Sequence, residues 1–183
     1  MDRQTRIRIS KQISYLLRHA PQSADLPIAP GGWVPVEPLL DYLSQQGHDL
    51  SRQELDRLAA DDPKRRFGFS DDGRFIRAHY GHSVEVDLQY APQEPPDILY
   101  HGTAVDVLPK IMAEGIVRRR RQYVHLSEKT DMARQVGSRH GKPRIVIVEA
   151  PQMHRAGHIF YRSESGIWLT DHVPPEFLRP APQ

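Results

Sequence analysis

The chain has 183 residues, 38% of them hydrophobic and 26% charged. That is enough for one medium domain or two small ones, in proportions ordinary for a soluble globular protein. The longest purely apolar stretch, Ile145 to Val148, falls far short of the roughly 20 residues of a membrane helix. The opening MDRQTRIRISKQ is basic but lacks the apolar core of a secretory signal. Cysteine is absent, which excludes disulfides, thiolate nucleophiles and cysteine-based metal sites and fits a reducing, cytoplasmic setting. Net charge is +2, from 25 basic and 23 acidic residues, with arginine dominating the basic set. A bulk polybasic coat is not indicated, but local arginine clusters suit planar, bidentate recognition of a few phosphates.

The elements follow in chain order. Ile9, Ile13, Leu16 and Leu17 recur at helical spacing, and Pro21 ends that helix near His19. Pro27, Pro30, Gly31 and Gly32 predict a loop. A short helix around Val36 to Gln46 carries Leu39, Leu40 and Leu43, with Gly47 as its stop. Ser51 and Glu54 form a capping box that opens a third helix through Leu55 and Leu58. Phe67 to Ser70 and Arg74 to Ala78 flank Asp71-Asp72-Gly73, a hairpin signal. Three helices and a hairpin in about 80 residues suggest a winged helix.

Residues 84–97, with Pro92, Pro95 and Pro96 and few core residues, mark the expected domain boundary. The predicted domains are 1–91 and 97–183. In the second, Ile98 to His101 predicts a strand, and Thr103 with Asp106 a cap for a helix through Val107, Leu108, Ile111 and Met112 that stops at Gly115. Tyr123 to Leu126 predicts a strand. Ser127 and Asp131 open a helix with Met132, Ala133 and Val136. Arg144 to Ala150 predicts the strongest strand, and Ile159 to Thr170 a final hairpin.

Arg18 and His19 end the first helix. They suit either a cation pair on the helix dipole or a phosphate clamp beside an acid/base group. Arg77 is either an ordinary wing arginine or a ligand. His79 and His82 do not suggest a metal, because a spacing of three on a strand sends them to opposite faces. The run Arg118 to Arg121 is either a solvated loop or a loop with one member directed inward. Gly102 permits close approach of a ligand to the backbone, and Thr103 at a helix start would present amide donors to a pyrophosphate.

Seven motifs in order give these residues a common context: SYLLRHAP (14–21), GGWVPV (31–36), RFGFSDDGRFIRAHYGHS (66–83), LYHGT (99–103), RQYVHLS (121–127), VGSRHGKP (136–143) and SGIWLT (165–170). Together they resemble the RNA 2′-phosphotransferase family, over nearly the whole chain from Ile9 to Leu178. The resemblance implies an α+β protein, with a winged helix followed by an ADP-ribosyltransferase-like mixed α/β domain. It implies an Arg-His-Arg-Arg tetrad, which falls on Arg18, His19, Arg77 and Arg121. It implies NAD, consumed as a co-substrate, with a binding set of His101, Gly102, Thr103, His125, Ser127, Arg139 and Ile167, and no metal.

The implied reaction removes an internal RNA 2′-phosphate. That phosphate attacks the nicotinamide-ribose carbon, and transesterification then gives 2′-hydroxyl RNA, ADP-ribose 1″,2″-cyclic phosphate and nicotinamide. Arginines suit an acceptor that is already anionic and needs positioning rather than deprotonation. The apolar Ile167 stands where many protein-modifying ADP-ribosyltransferases carry a glutamate. The chain departs from the family pattern at His79-Tyr80, often Asn-Gln, and at Tyr123, often His. The expected partner is RNA carrying a 2′-phosphate, acted on by a monomer away from membranes. Two other readings share these residues: ADP-ribosyl transfer to terminal phosphates of nucleic acid, and a non-catalytic RNA-binding winged helix.

Overall fold

The computed structural model describes residues 2–139 and 141–182. It is a mixed α/β structure of six α-helices and several small antiparallel sheets among those residues. The chain divides into two compact units, Met1–Gln89 and Tyr90–Gln183.

The first unit opens with α1 (Arg3–His19), capped by the Asp2 side chain, which accepts from the amides of Gln4 and Thr5. Ile9, Ile13, Leu16 and Leu17 are buried along one face of this helix. The chain leaves it at Ala20, immediately before Pro21, where the ring of proline disfavours further helix. β1 (Val34–Pro35) leads into α2 (Val36–Gln45), and α3 (Arg52–Ala60) starts at the Ser51–Glu54 capping box, with both reciprocal bonds present. β2 (Phe67–Phe69) and β3 (Phe75–Ala78) form the hairpin, and β1 adds to its other edge in the order β1-β3-β2. The three helices and Val34, Phe67, Ile76 and Ala78 share one apolar core. The segment after β3 has no regular structure but is not core-poor. His82, Val86 and Leu88 are buried, and the Gly31 amide donates to the Asp87 carbonyl.

The second unit is built on β4 (Leu99–Ala104), which pairs along its whole length with the apolar β7 (Pro143–Val148). Between them run α4 (Leu108–Glu114), β5 (Ile116–Val117), β6 (Val124–Leu126) and α5 (Thr130–Gly137). After β7 come α6 (Ala150–Arg155), β8 (Tyr161–Arg162), β9 (Trp168–Thr170), β10 (His172–Val173) and β11 (Leu178–Pro180). The sheets run β11-β7-β4, β6-β9-β8 and β10-β5, and a bridge between Tyr100 and Ser127 joins the end of β6 to β4.

Three expectations are corrected here. The strand expected to reach Ala150 stops at Val148, and Ala150 starts α6 instead; Pro151 lies in its first turn, where a missing amide hydrogen costs nothing. Thr103 does not open a helix. Its register with Arg144 keeps it inside β4, and the chain turns helical only after Ala104. His79 and His82 do not lie on the strand, which ends at Ala78, and both are buried.

Candidate functional site

In the first unit the GGWVPV loop, the end of α1 and the segment after β3 converge. Gly31 and Gly32 have φ of 84° and 76°, left-handed conformations that glycine adopts without steric cost. A Cβ on Gly31 would stand 2.8 Å from the Trp33 indole, so the glycine lets that ring fold back over its own loop. Arg77, only 9% exposed on β3, takes advantage of both features. Its Nη1 donates to the Gly31 carbonyl at 3.1 Å, and its guanidinium carbon lies 4.3 Å from the Trp33 ring centroid. A cation over an indole face is favourable and partly shielded from water.

Arg18 has a similar setting, with its guanidinium carbon 4.9 Å from the Tyr80 ring centroid. Gly81, at φ 92°, would place a Cβ 3.6 Å from the Arg18 side chain. The Arg18 carbonyl accepts from the amides of Ser83 and Val84, which fastens this segment to the end of α1. The Ser83 hydroxyl in turn lies 2.9 Å from His19 Nδ1. His82 completes the group. It is 2% exposed, and neither ring nitrogen has a hydrogen-bond partner among the described residues. Burial pushes its pKa down to about 3, and the positive fields of Arg18, His19 and Arg77 push the same way. Arg18, His19 and Arg77 are therefore neighbours of a single neutral imidazole.

The sequence reading missed Trp33, Tyr80, His82 and Ser83 as parts of this arrangement. All four lie inside the quoted motifs, so the signal was present; what was lacking was the folding of a loop back onto a helix end. His79, one of the departures from the family pattern, has a structural task. Its Nδ1 donates to the Arg65 carbonyl at 2.8 Å, and its Nε2 occupies the space a side chain on Gly68 would need.

In the second unit, Arg121 Nη1 donates to His125 Nδ1 at 2.6 Å. His101 Nδ1 donates to the His125 carbonyl at 3.2 Å. Desolvation lowers the His101 pKa, Arg121 and Arg119 add to that, and the bond to His125 opposes it. Arg118 has other partners, the Gln122 carbonyl and Asp171. Ser127 is buried, and its hydroxyl both donates to the Lys129 carbonyl and accepts from the Lys129 amide, closing the turn before α5. Ile167 is buried in the β8–β9 turn, its amide donating to the Ser163 hydroxyl. Arg139 is exposed just beyond α5.

Gly102 is not open to a ligand. A Cβ there would fall 1.7 Å from the Ala133 carbonyl oxygen, because α5 packs its backbone directly on β4. Among the described residues no group of three or more His, Asp or Glu side chains could hold a metal ion. Nor is any helix long and apolar enough to cross a membrane.

Comparison with known proteins identifies the family. The family model described as "RNA 2'-phosphotransferase, Tpt1 / KptA family" matches residues 4–172. A protein of Acaryochloris marina named "Probable RNA 2'-phosphotransferase" is 45% identical over 178 residues, covering 97% of this chain and 98% of the relative. Proteins of the same name from Nostoc punctiforme and Burkholderia lata are 46% and 47% identical, each over 94% of this chain and over 96% and 89% of their own lengths. A match spanning both units, together with this degree of identity to full-length relatives, establishes that the chain belongs to the Tpt1 / KptA family of RNA 2′-phosphotransferases.

Proposed function

We propose that this protein is an NAD-dependent RNA 2′-phosphotransferase, with the first unit a winged helix that holds the RNA phosphate and the second an ADP-ribosyltransferase-like unit that holds NAD. Three helices followed by a hairpin with an added β1 edge support the first assignment. The observation that carries the functional reading is the grouping of Arg18, His19 and Arg77 around neutral His82, with Arg77 fixed between the Trp33 ring and the Gly31 carbonyl. Side chains held in this way bind a phosphate without first losing much rotamer freedom.

The residues of the second unit fit a dinucleotide. His101, whose Nδ1 is the donor, presents Nε2 as an acceptor. His125, whose Nδ1 accepts from Arg121, carries its proton on Nε2. One imidazole acceptor and one imidazole donor match the hydroxyls of a ribose. His101, His125, Ser127, Arg139 and Ile167 would hold NAD, with Gly102 and Thr103 seating α5 against the strand that carries His101. When bound, NAD supplies an electrophilic ribose carbon with nicotinamide as its leaving group.

The remaining roles belong to the chain. Arg18 and Arg77 bind the reacting phosphate and stabilise charge that develops on its oxygens, and Arg121, the fourth member of the tetrad, supplies a further charged donor to the reaction. His19, held by Ser83, takes the proton from the attacking ribose hydroxyl. Buried Ile167 leaves no carboxylate at its position to repel an anionic acceptor.

The test is to incubate the protein with a 2′-phosphorylated oligoribonucleotide, with and without NAD, and to identify products by mass. NAD-dependent appearance of 2′-hydroxyl RNA, nicotinamide and ADP-ribose cyclic phosphate is expected. ADP-ribose left attached to RNA as the final product, or binding without consumption of NAD, overturns the reading.

A further inference from the structure

The catalytic grouping uses only the last residues of α1, yet the helix carries a second pattern along its solvent side. Gln4, Arg8, Lys11, Tyr15 and then Arg18 and His19 recur at steps of three and four, so they lie on one face. This face is opposite the buried Ile9, Ile13, Leu16 and Leu17. Arg8, Lys11 and Tyr15 are exposed, Tyr15 by 56%. Neither Arg8 nor Lys11 meets a carboxylate among the described residues. The one acidic residue at this helix, Asp2, is engaged as its N-cap, and Asp61 pairs with Arg6 on another side. The Tyr15 ring lies 5.9 Å from the His19 ring at a tilt of 49°, so an exposed aromatic face adjoins the candidate acid/base group.

We infer that this face of α1 is a track for the RNA strand that flanks the 2′-phosphate. Arg8 and Lys11 contact successive backbone phosphates, and Tyr15 stacks a base next to the reacting nucleotide. The inference rests on the functional reading above. Its chemistry is that of single-strand recognition in general, in which cations follow the backbone and a ring accepts any base. From Gln4 to His19 the track is about 22 Å long at the rise of an α-helix, so it engages several nucleotides and has no use for a minimal substrate. Tyr15, one turn beyond Lys11 and one turn before His19, leaves more than half of its surface to solvent, where a base can stack on it.

The experiment compares kcat/KM on a long 2′-phosphorylated oligoribonucleotide with kcat/KM on a 2′-phosphorylated dinucleotide, for the full chain and for Arg8→Ala/Lys11→Ala, Tyr15→Ala and Arg155→Ala. Arg155 is exposed on α6 and outside the track. The long-to-short ratio is expected to fall at least tenfold in the double variant and to hold in Arg155→Ala, while Tyr15→Ala lowers kcat/KM about fivefold on both substrates, because both carry the neighbouring base. On the long substrate the slope of log(kcat/KM) against log[salt] should become shallower by about 1.4 in the double variant, two phosphate contacts at roughly 0.7 each. An unchanged ratio and slope overturns the track while leaving the enzyme reading intact. A wild-type protein that turns over neither substrate overturns the enzyme reading itself.

Discussion

Arg121 reaches forward four residues to place Nη1 2.6 Å from His125 Nδ1. A ring nitrogen that accepts from a guanidinium carries no proton, so this contact fixes both the charge and the tautomer of His125. It also distinguishes Arg121 within a run of four arginines. On the proposed reading, Arg121→Ala should lower kcat by about 100-fold or more, the cost of losing a charged donor to the transition state. Arg118→Ala and Arg120→Ala should stay within about threefold. Single-turnover assays on 2′-phosphorylated RNA check this, and an equal loss at Arg120 would shift the assignment.

Ser83 lies 2.9 Å from His19 Nδ1, while its backbone amide holds the Arg18 carbonyl. Removing the hydroxyl takes away that one restraint on the imidazole without disturbing the backbone bond. Ser83→Ala should reduce kcat by about 3- to 30-fold with little change in KM. His19→Ala should slow formation of 2′-hydroxyl RNA more than release of nicotinamide. Following both products in one reaction separates these effects; a parallel fall in the two would place His19 in the earlier step.

Gly102 has its missing side chain replaced by the backbone of α5. Gly102→Ala must push that helix off β4, an overpacking cost of about 3 kcal/mol or more. For a chain of this size the melting temperature should fall by roughly 6–12 °C, measurable by circular dichroism in the absence of any ligand. A variant that melts like the wild type but loses NAD affinity would return Gly102 to a ligand-contact role.

His82 and His101 both hold their imidazoles neutral by burial. Above pH 6.5 the folded and unfolded chains agree on these protons, and stability is flat. Below it the unfolded chain takes up protons that the folded one refuses, so stability falls with pH. His82, whose folded pKa is about 3, contributes roughly 1.4 kcal/mol per pH unit between 6.5 and 3. Urea unfolding at pH 7.5, 5.5 and 4.5 should show this decline, and His82→Gln should make it shallower. Identical slopes in the two proteins would mean that His82 is not buried neutral.

The features legible in the sequence were those set by neighbours in the chain. The capping box at Ser51, the stop at Gly115 and the hairpin around Asp72 and Gly73 each depend on a few adjacent residues, and each is observed. The errors came where distant pairing decides. Thr103 resembles a helix cap, but register with Arg144 keeps it in a strand. Ala150 resembles the end of an apolar strand, but Pro151 and the turn into α6 claim it. β5 and β10 are two residues each and exist only through pairing with one another, so no local pattern announces them. In the site, residue types and motif positions were readable, whereas the aromatic rings beneath Arg18 and Arg77 depend on how a loop closes and were not.

Those rings have a consequence for selectivity. A guanidinium resting on an indole or a phenol has already shed part of its water, so its hold on a phosphate depends on shape and is little weakened by mobile ions. The exposed cations of α1 have no such shield and yield quickly to them. Rising ionic strength should therefore make the protein indifferent to the length of its RNA well before it ceases to recognise the phosphate itself.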